Sequence, residues 1–103
     1  MSFRIERFSS TLKHCIGDIL LNEIDDPKLK FVTLLEVNVS KDLKKANIYV
    51  SSTNSDCDDF LIQLNNAKGL IKKLLVKKMY LKYVPEIIFI TDQFLDIEKK
   101  VNN

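Results

Sequence analysis

An abrupt change of hydrophobic period at Asp25-Asp26-Pro27 constrains this chain more than any other feature. Before it, Ile5, Phe8, Leu12, Cys15, Ile16, Ile19 and Leu20 recur at three- and four-residue spacing, the mark of an amphipathic helix over residues 3–24. Proline cannot continue a helix, and it pushes the preceding residue out of helical backbone space, so the helix stops there. After it the period drops to two. Phe31, Thr33, Leu35, Val37 and Val39 fall on one face of a strand. The other face begins apolar (Val32, Leu34) and ends polar (Glu36, Asn38). Ser40-Lys41-Asp42-Leu43 is polar at its centre and reads as a hairpin connection. Ala46, Ile48 and Val50 then alternate with Asn47, Tyr49 and Ser51 in a second strand.

The second half repeats the change of period in reverse. A polar stretch, Ser51 to Asp56, precedes a helix from Asp58 to about Ala67, with Asp56 or Asp58 as its cap. Gly69 interrupts the pattern, which resumes as Leu70, Ile71, Leu74 and Leu75 and runs to about Met79. Two helices meeting at a kink over Ala67 and Gly69 are expected, because glycine tolerates such a bend. Tyr83-Val84-Pro85 leads into a short apolar strand, Ile87 to Thr91. Residues 94–101 are expected to add a helical turn or two, capped by Asp92. The order is helix, strand, strand, helix–kink–helix, strand. One sheet of three strands, covered on one face by helices, satisfies this order economically and gives an α+β class. At 103 residues the chain is expected to be one domain over 1–103, with a short tail from about residue 93.

Charge is segregated along this framework. Between Phe60 and Pro85 there are six lysines (Lys68, Lys72, Lys73, Lys77, Lys78, Lys82) and no acidic residue, while the rest of the chain holds ten basic against fourteen acidic residues. A local positive field on a near-neutral protein attracts polyanions, of which nucleic acid is the simplest. At about 100° per residue, Leu70, Ile71, Leu74 and Leu75 share one arc, and Lys68, Lys72, Lys73 and Lys77 fall in the opposite half. With no acids interleaved, these lysines repel one another mildly, so the face is read as anion-binding. Lysines also decorate ordinary solvated helices, which is the competing reading. Lys78 lies near the apolar arc and is expected to snorkel or to sit past the helix end. Arg4 and Arg7 on the first helix, and Lys44 and Lys45 at the hairpin, are weaker members of the footprint. Tyr80 and Tyr83 beside Lys82 have the chemistry to stack on bases. Half-buried packing at the entrance to a strand is the preferred reading for them.

Other chemistries find little support. His14 is the only histidine, and it neighbours Cys15 on a helix, where adjacent residues do not face each other. Two cysteines, Cys15 and Cys57, suit neither a disulfide framework nor a zinc knuckle and are read as free thiols. Capping explains Asp56, Asp58 and Asp59 more simply than a metal site, although a small metal-dependent nuclease built on them is a competing hypothesis. No acid–base pair emerges, so no enzyme is expected and no cofactor or metal. No apolar run approaches the ~20 residues of a membrane helix, and the opening Met-Ser-Phe-Arg-Ile-Glu-Arg reads as charged helix rather than as a secretory leader. A cytoplasmic monomer without a small-molecule substrate is the expectation. A module that meets an acidic partner protein is the alternative to an RNA binder.

Four blocks of the chain resemble ribosome-binding factor A. They are Asp26-Pro27-Lys28-Leu29, the stretch Val39 to Val50 with Ser40, Asp42, Leu43, Ala46 and Tyr49, the stretch Ala67-Lys68-Gly69-Leu70-Ile71-Lys72, and Val84 to Asp92. They fall in the family's order and spacing, and the resemblance extends from Arg4 to Asp92. It implies a type II KH-like fold, in which Ala67-Lys68-Gly69 matches an alanine–any–glycine kink that replaces the GxxG loop. The glycine count agrees, since Gly17 and Gly69 are the only two. The resemblance also implies a bacterial, non-enzymatic assembly factor that binds the immature small (30S) ribosomal subunit and its 16S rRNA. Such factors assist maturation of the precursor end of that rRNA and matter most in the cold. Where the family often carries arginine, Lys28, Lys72 and Lys82 stand here, keeping the charge but not the planar two-pronged grip on phosphate. The extended tail common in the family is expected to be nearly absent here, after about residue 93.

Overall fold

The computed structural model describes residues 3–52 and 57–91. The elements are α1 (Phe3–Asp18), β1 (Val32–Val39), β2 (Lys45–Ser52), α2 (Cys57–Asn66), α3 (Lys68–Met79) and β3 (Glu86–Thr91). The sheet order is β1-β2-β3. β1 pairs antiparallel with β2 through the hairpin, and β3 pairs parallel with β2. A parallel pair cannot be joined by a tight turn, so α2 and α3 form the crossover between β2 and β3. This is the expected order and the expected α+β, type II KH-like arrangement.

The inward positions of the strands, Val37, Ala46, Ile48, Val50, Ile87 and Phe89, are buried on one face of the sheet. Against them pack Leu12 and Ile16 of α1, Phe60 and Leu64 of α2, and Ile71 and Leu75 of α3. Lys45, Asn47, Tyr49, Glu86, Ile88 and Ile90 alternate with the inward residues, and none of them is buried. The helices therefore cover one face of the sheet and leave the other open.

The first helix does not end at Asp18. It widens into a π-helical turn, Ile19–Glu23, closed by the Ile24 N–H on the Ile19 carbonyl at 3.1 Å. The wider turn keeps Ile19, Leu20 and Ile24 in the core and turns Leu21 out. Lys30 Nζ donates to the Leu21 carbonyl at 2.6 Å. A 3-10 turn, Pro27–Phe31, follows. The Asp26 carboxylate caps it by accepting from the Lys28 N–H at 3.0 Å, and Pro27 sits where a missing N–H costs nothing. The Asp-Pro pair thus ends one element and starts the next.

One expectation about β1 fails for a physical reason. Phe31, Thr33 and Leu35 do not share the inward face with Val37 and Val39. The register slips between Leu34 and Glu36, so Leu35 is an inserted residue, and the phase of the strand reverses there. Val32 and Leu34 pack against the core before the bulge, and Val37 and Val39 after it. Phe31 and Leu35 are exposed. Lys13 Nζ on α1 donates to the carbonyl of the bulged Leu35 at 3.3 Å.

The bend between α2 and α3 also differs from expectation. It is centred on Ala67, whose backbone sits at φ −87, ψ 0. Gly69 lies inside the first turn of α3, has no positive φ, and would present a Cβ to open space. The bend does not use the freedom of glycine. Gly69→Ala is therefore expected to stabilise the protein by up to about 1 kcal/mol through helix propensity, measured as a higher urea midpoint. A lower midpoint would show that the helix needs glycine there.

Candidate nucleic-acid interface

α3 does not present its lysines as a single opposite face. Its buried stripe is Ile71 and Leu75, with Leu74 and Met79 packed beside them, while Leu70 is exposed. The core-facing arc is thus rotated away from the expected one. Lys73 and Lys77 lie on the outermost part of the helix and are exposed. Lys68 and Lys72 lie on its flank and are half-buried. Lys68 Nζ stands 5.9 Å from the centroid of the Phe89 ring, at the margin of a cation–π contact. Among the described residues no salt bridge joins Lys68, Lys72, Lys73, Lys77 or Lys82, so their charge is not balanced locally.

Lys78 is placed differently. Its Nζ lies 2.9 Å from Asp18 and 3.7 Å from Glu23, tying the end of α3 to the end of α1. The hydrogen bond from Lys78, a second from Asn22 and the charge of Lys78 hold the Asp18 carboxyl below its usual pKa of 3.8. The bond to Asp18 correspondingly raises that of Lys78. Lys78 is a helix-to-helix tie, not a member of the outward basic arc.

The remaining candidates separate by face. Arg4 and Arg7 are exposed on α1, which packs beside α3 in the helical layer. Lys44 and Lys45 are exposed at the hairpin, and Lys45 alternates with Asn47 and Tyr49 on the open side of β2. The hairpin itself is tightly bonded. The Ser40 hydroxyl donates to Asp42 at 2.7 Å and accepts from the Lys45 N–H at 3.0 Å, and Asp42 accepts from the Lys44 N–H at 3.0 Å. The bonds from the Ser40 hydroxyl and the Lys44 N–H lower the Asp42 pKa. Leu43 closes the turn at φ 61. The Ser40-Lys41-Asp42-Leu43 block is thus a turn in its own right, whatever its lysines bind.

Tyr80 and Tyr83 overturn the packing expectation. They are 92% and 80% exposed. Tyr80 ends α3 in the left-handed region, at φ 54, ψ 43, and both its own N–H and that of Leu81 bond to the Val76 carbonyl. Glycine is the usual residue at such a position, and a bulky side chain there is strained. Extending the helical wheel one residue past Met79 points Tyr80 outward, a signal present in the sequence that competes with the packing expectation.

A groove of about 870 Å³ opens along α1, lined by Lys13, His14, Asp18, Lys30, Lys78 and several leucines. Its lysines are already occupied, on the Leu35 and Leu21 carbonyls and on Asp18. Among the described residues no group of three or more His, Cys, Asp or Glu side chains could hold a metal ion. The side chains of Asp56, Asp58 and Asp59, and the Asp92 cap and following helical turn, lie outside the described residues. No helix among those described is long and apolar enough to cross a membrane.

The fold defines a class: type II KH-like, with a bend at Ala67 and a basic helix after it. Comparison with known proteins narrows this. The family model for ribosome-binding factor A matches residues 4–103. Ribosome-binding factor A of Acetivibrio thermocellus is 41% identical over 96 residues, covering 90% of this chain and 78% of that protein. The crystal structure of ribosome-binding factor A from Thermus thermophilus superposes with a TM-score of 0.76 at 21% identity, over 84% of this chain and 93% of that one. A homology model of Thermus thermophilus ribosome-binding factor A, fitted into a cryo-electron-microscopy map of its complex with the 30S subunit, gives a TM-score of 0.69 at 22% identity, over 80% and 88%. The chain belongs to the ribosome-binding factor A family.

Two outcomes follow from the geometry. Tyr80→Gly relieves the left-handed strain and is expected to raise the unfolding free energy by about 1 kcal/mol, read from urea titration; a loss would mean that the ring packs in solution. Asp18→Asn removes a carboxylate whose pKa is lowered in the fold. Such a group contributes above its unfolded value and loses that contribution as pH falls through the folded one. The variant should be the less stable at pH 7, and the two midpoints should converge as pH drops below 3.8. Parallel curves over that range would remove Asp18 from the account.

Proposed function

We propose that this protein is a non-catalytic assembly factor that binds the immature small ribosomal subunit. It contacts 16S rRNA and assists maturation of the precursor end of that RNA. It acts as a cytoplasmic monomer, needs no cofactor or small-molecule substrate, and matters most in the cold. The observation that carries the reading is the outward arc of α3, where Lys73 and Lys77 stand free of acidic partners among the described residues. Lys72 and Lys68 on the flank, Lys82 beyond the helix, and Arg4 and Arg7 on α1 extend the same cationic layer. Family membership supports the ribosomal target, as does the relative fitted on a 30S subunit. Lys78 is left out of the contact set because Asp18 holds it, and Lys44 and Lys45 stand at the hairpin end, outside the helical layer.

Lysines on a smooth helix grip phosphates and carry little sequence information. Recognition is then expected to depend on the shape of the rRNA, with affinity strongly dependent on salt. About four phosphates neutralised would give a log–log salt slope near −3. Purified protein should co-sediment with small subunits and not with large subunits. Lys73→Glu/Lys77→Glu should weaken that binding and flatten the slope without altering the urea midpoint. Equal adhesion to both subunits would overturn the assembly-factor reading. Unchanged binding by the double variant would remove α3 from the interface.

A further inference from the structure

The exposed tyrosines at the end of α3 are not explained by phosphate contacts. A chain with an ordinary need to end a helix would place glycine or asparagine at the left-handed position. Here Tyr80 occupies it and is 92% exposed, with Tyr83 80% exposed three residues on. Three residues span at most ~10 Å, about three nucleotides at ~3.4 Å along a stacked strand. Among the described residues no packing gain offsets the backbone strain, and strain of this kind collects at binding sites.

The surroundings of the rings are basic. Exposed Lys77 and Lys82 bracket Tyr80, and Lys82 precedes Tyr83 directly. The turn then joins the hairpin, where the Glu86 N–H bonds to the Lys44 carbonyl at 2.8 Å. Lys41, Lys44 and Lys45 are exposed at that end. Two acids are close in the chain. Asp42 is turned onto the Ser40 hydroxyl and the Lys44 N–H, and exposed Glu86 stands opposite Lys45 in the sheet register. The balance is cationic around two bare aromatic rings. A polyanion carrying flat rings of its own matches both halves of that chemistry. In a duplex those rings are stacked and unavailable, whereas in a single strand they are free.

We infer that Tyr80 and Tyr83 form a stacking platform for unpaired bases of a single-stranded RNA segment, whose phosphates run past Lys77 and Lys82 toward the hairpin lysines. This rests on the RNA-binding reading above and adds to it a second mode of contact, at the edge of the α3 surface. The two modes respond differently to substitution. Loss of a lysine flattens the salt dependence, whereas loss of a ring lowers affinity at every salt concentration with the slope unchanged.

The test uses the full chain and a single-stranded oligoadenylate twelve-mer, with free small subunits in parallel. The protein has three tyrosines and no tryptophan, so two of its three emitting rings are Tyr80 and Tyr83, and a label on the oligomer reads the affinity of the variants. Oligoadenylate is expected to quench that emission in the wild type. Tyr80→Ala/Tyr83→Ala should bind the oligomer about tenfold or more weakly, with an unchanged salt slope. Tyr80→Phe/Tyr83→Phe should bind as the wild type does, since stacking needs the ring and not the hydroxyl. Matching urea midpoints for the alanine and phenylalanine pairs exclude misfolding as the cause. If the wild type binds small subunits but the alanine pair keeps full affinity for the oligomer, the platform is overturned and the assembly-factor reading stands. Weak binding by the phenylalanine pair would also overturn it, by assigning the contact to the hydroxyls. If the alanine pair loses small subunits while keeping the oligomer, the rings meet a ribosomal protein instead. A wild type that binds neither overturns both readings.

Discussion

The whole arrangement depends on the burial of β2. Ala46, Ile48 and Val50 are fully buried, and the strand is paired on both edges, antiparallel to β1 and parallel to β3. The antiparallel partner needs only a hairpin. The parallel partner needs a crossover, which must also cover the apolar face of the sheet. α2 and α3 do both. Once Ile71 and Leu75 are fixed on the sheet, the outward direction of Lys73 and Lys77 is fixed with them. The basic arc is in this sense a consequence of strand pairing. Fully burying a side chain of this size contributes about 1.5–3 kcal/mol, far more than any exposed lysine pair costs by repulsion.

Two irregularities adapt this plan, and both are handled in the same way. The π-helical turn at Ile19–Glu23 and the bulge at Leu35 each disturb a regular ladder of backbone bonds. In each case a lysine ammonium reaches a carbonyl at the irregularity, Lys30 to Leu21 and Lys13 to Leu35. A lysine has three donors on a flexible stem, which suits a carbonyl in non-standard geometry. These lysines lie outside the acid-free window, and their work is within the fold. Lysine is abundant here, and abundance alone does not separate a lysine that binds a partner from one that completes the fold.

That distinction marks the limit of what is legible in the residues. The element order, the buried positions of β2 and the outward Lys73 and Lys77 follow from period and pattern, which are local. The bulge is not local in that sense, because one inserted residue reverses the phase of β1 while leaving its composition unchanged. The role of Lys78 depends on Asp18, sixty positions away in the chain. Gly69 misleads because glycine permits a bend without requiring one, and the bend falls on Ala67. The turn at Ser40 is legible as a turn, but not the bonds by which Ser40 and Asp42 close it.

Tyr80 shows the converse. Local preference argues against tyrosine at a left-handed helix end and in favour of packing at a strand entrance, and the structure disobeys both. Where local rules and structure disagree, either a compensating contact exists within the fold or the compensation lies outside it. Among the described residues no contact answers here, because Tyr80 is almost wholly exposed. The α3 lysines obey their local rules and would sit much the same on a helix with no partner, so their case depends on the field they make together. The tyrosines depart from theirs, and a departure without internal compensation is the stronger physical pointer to a surface built to be covered.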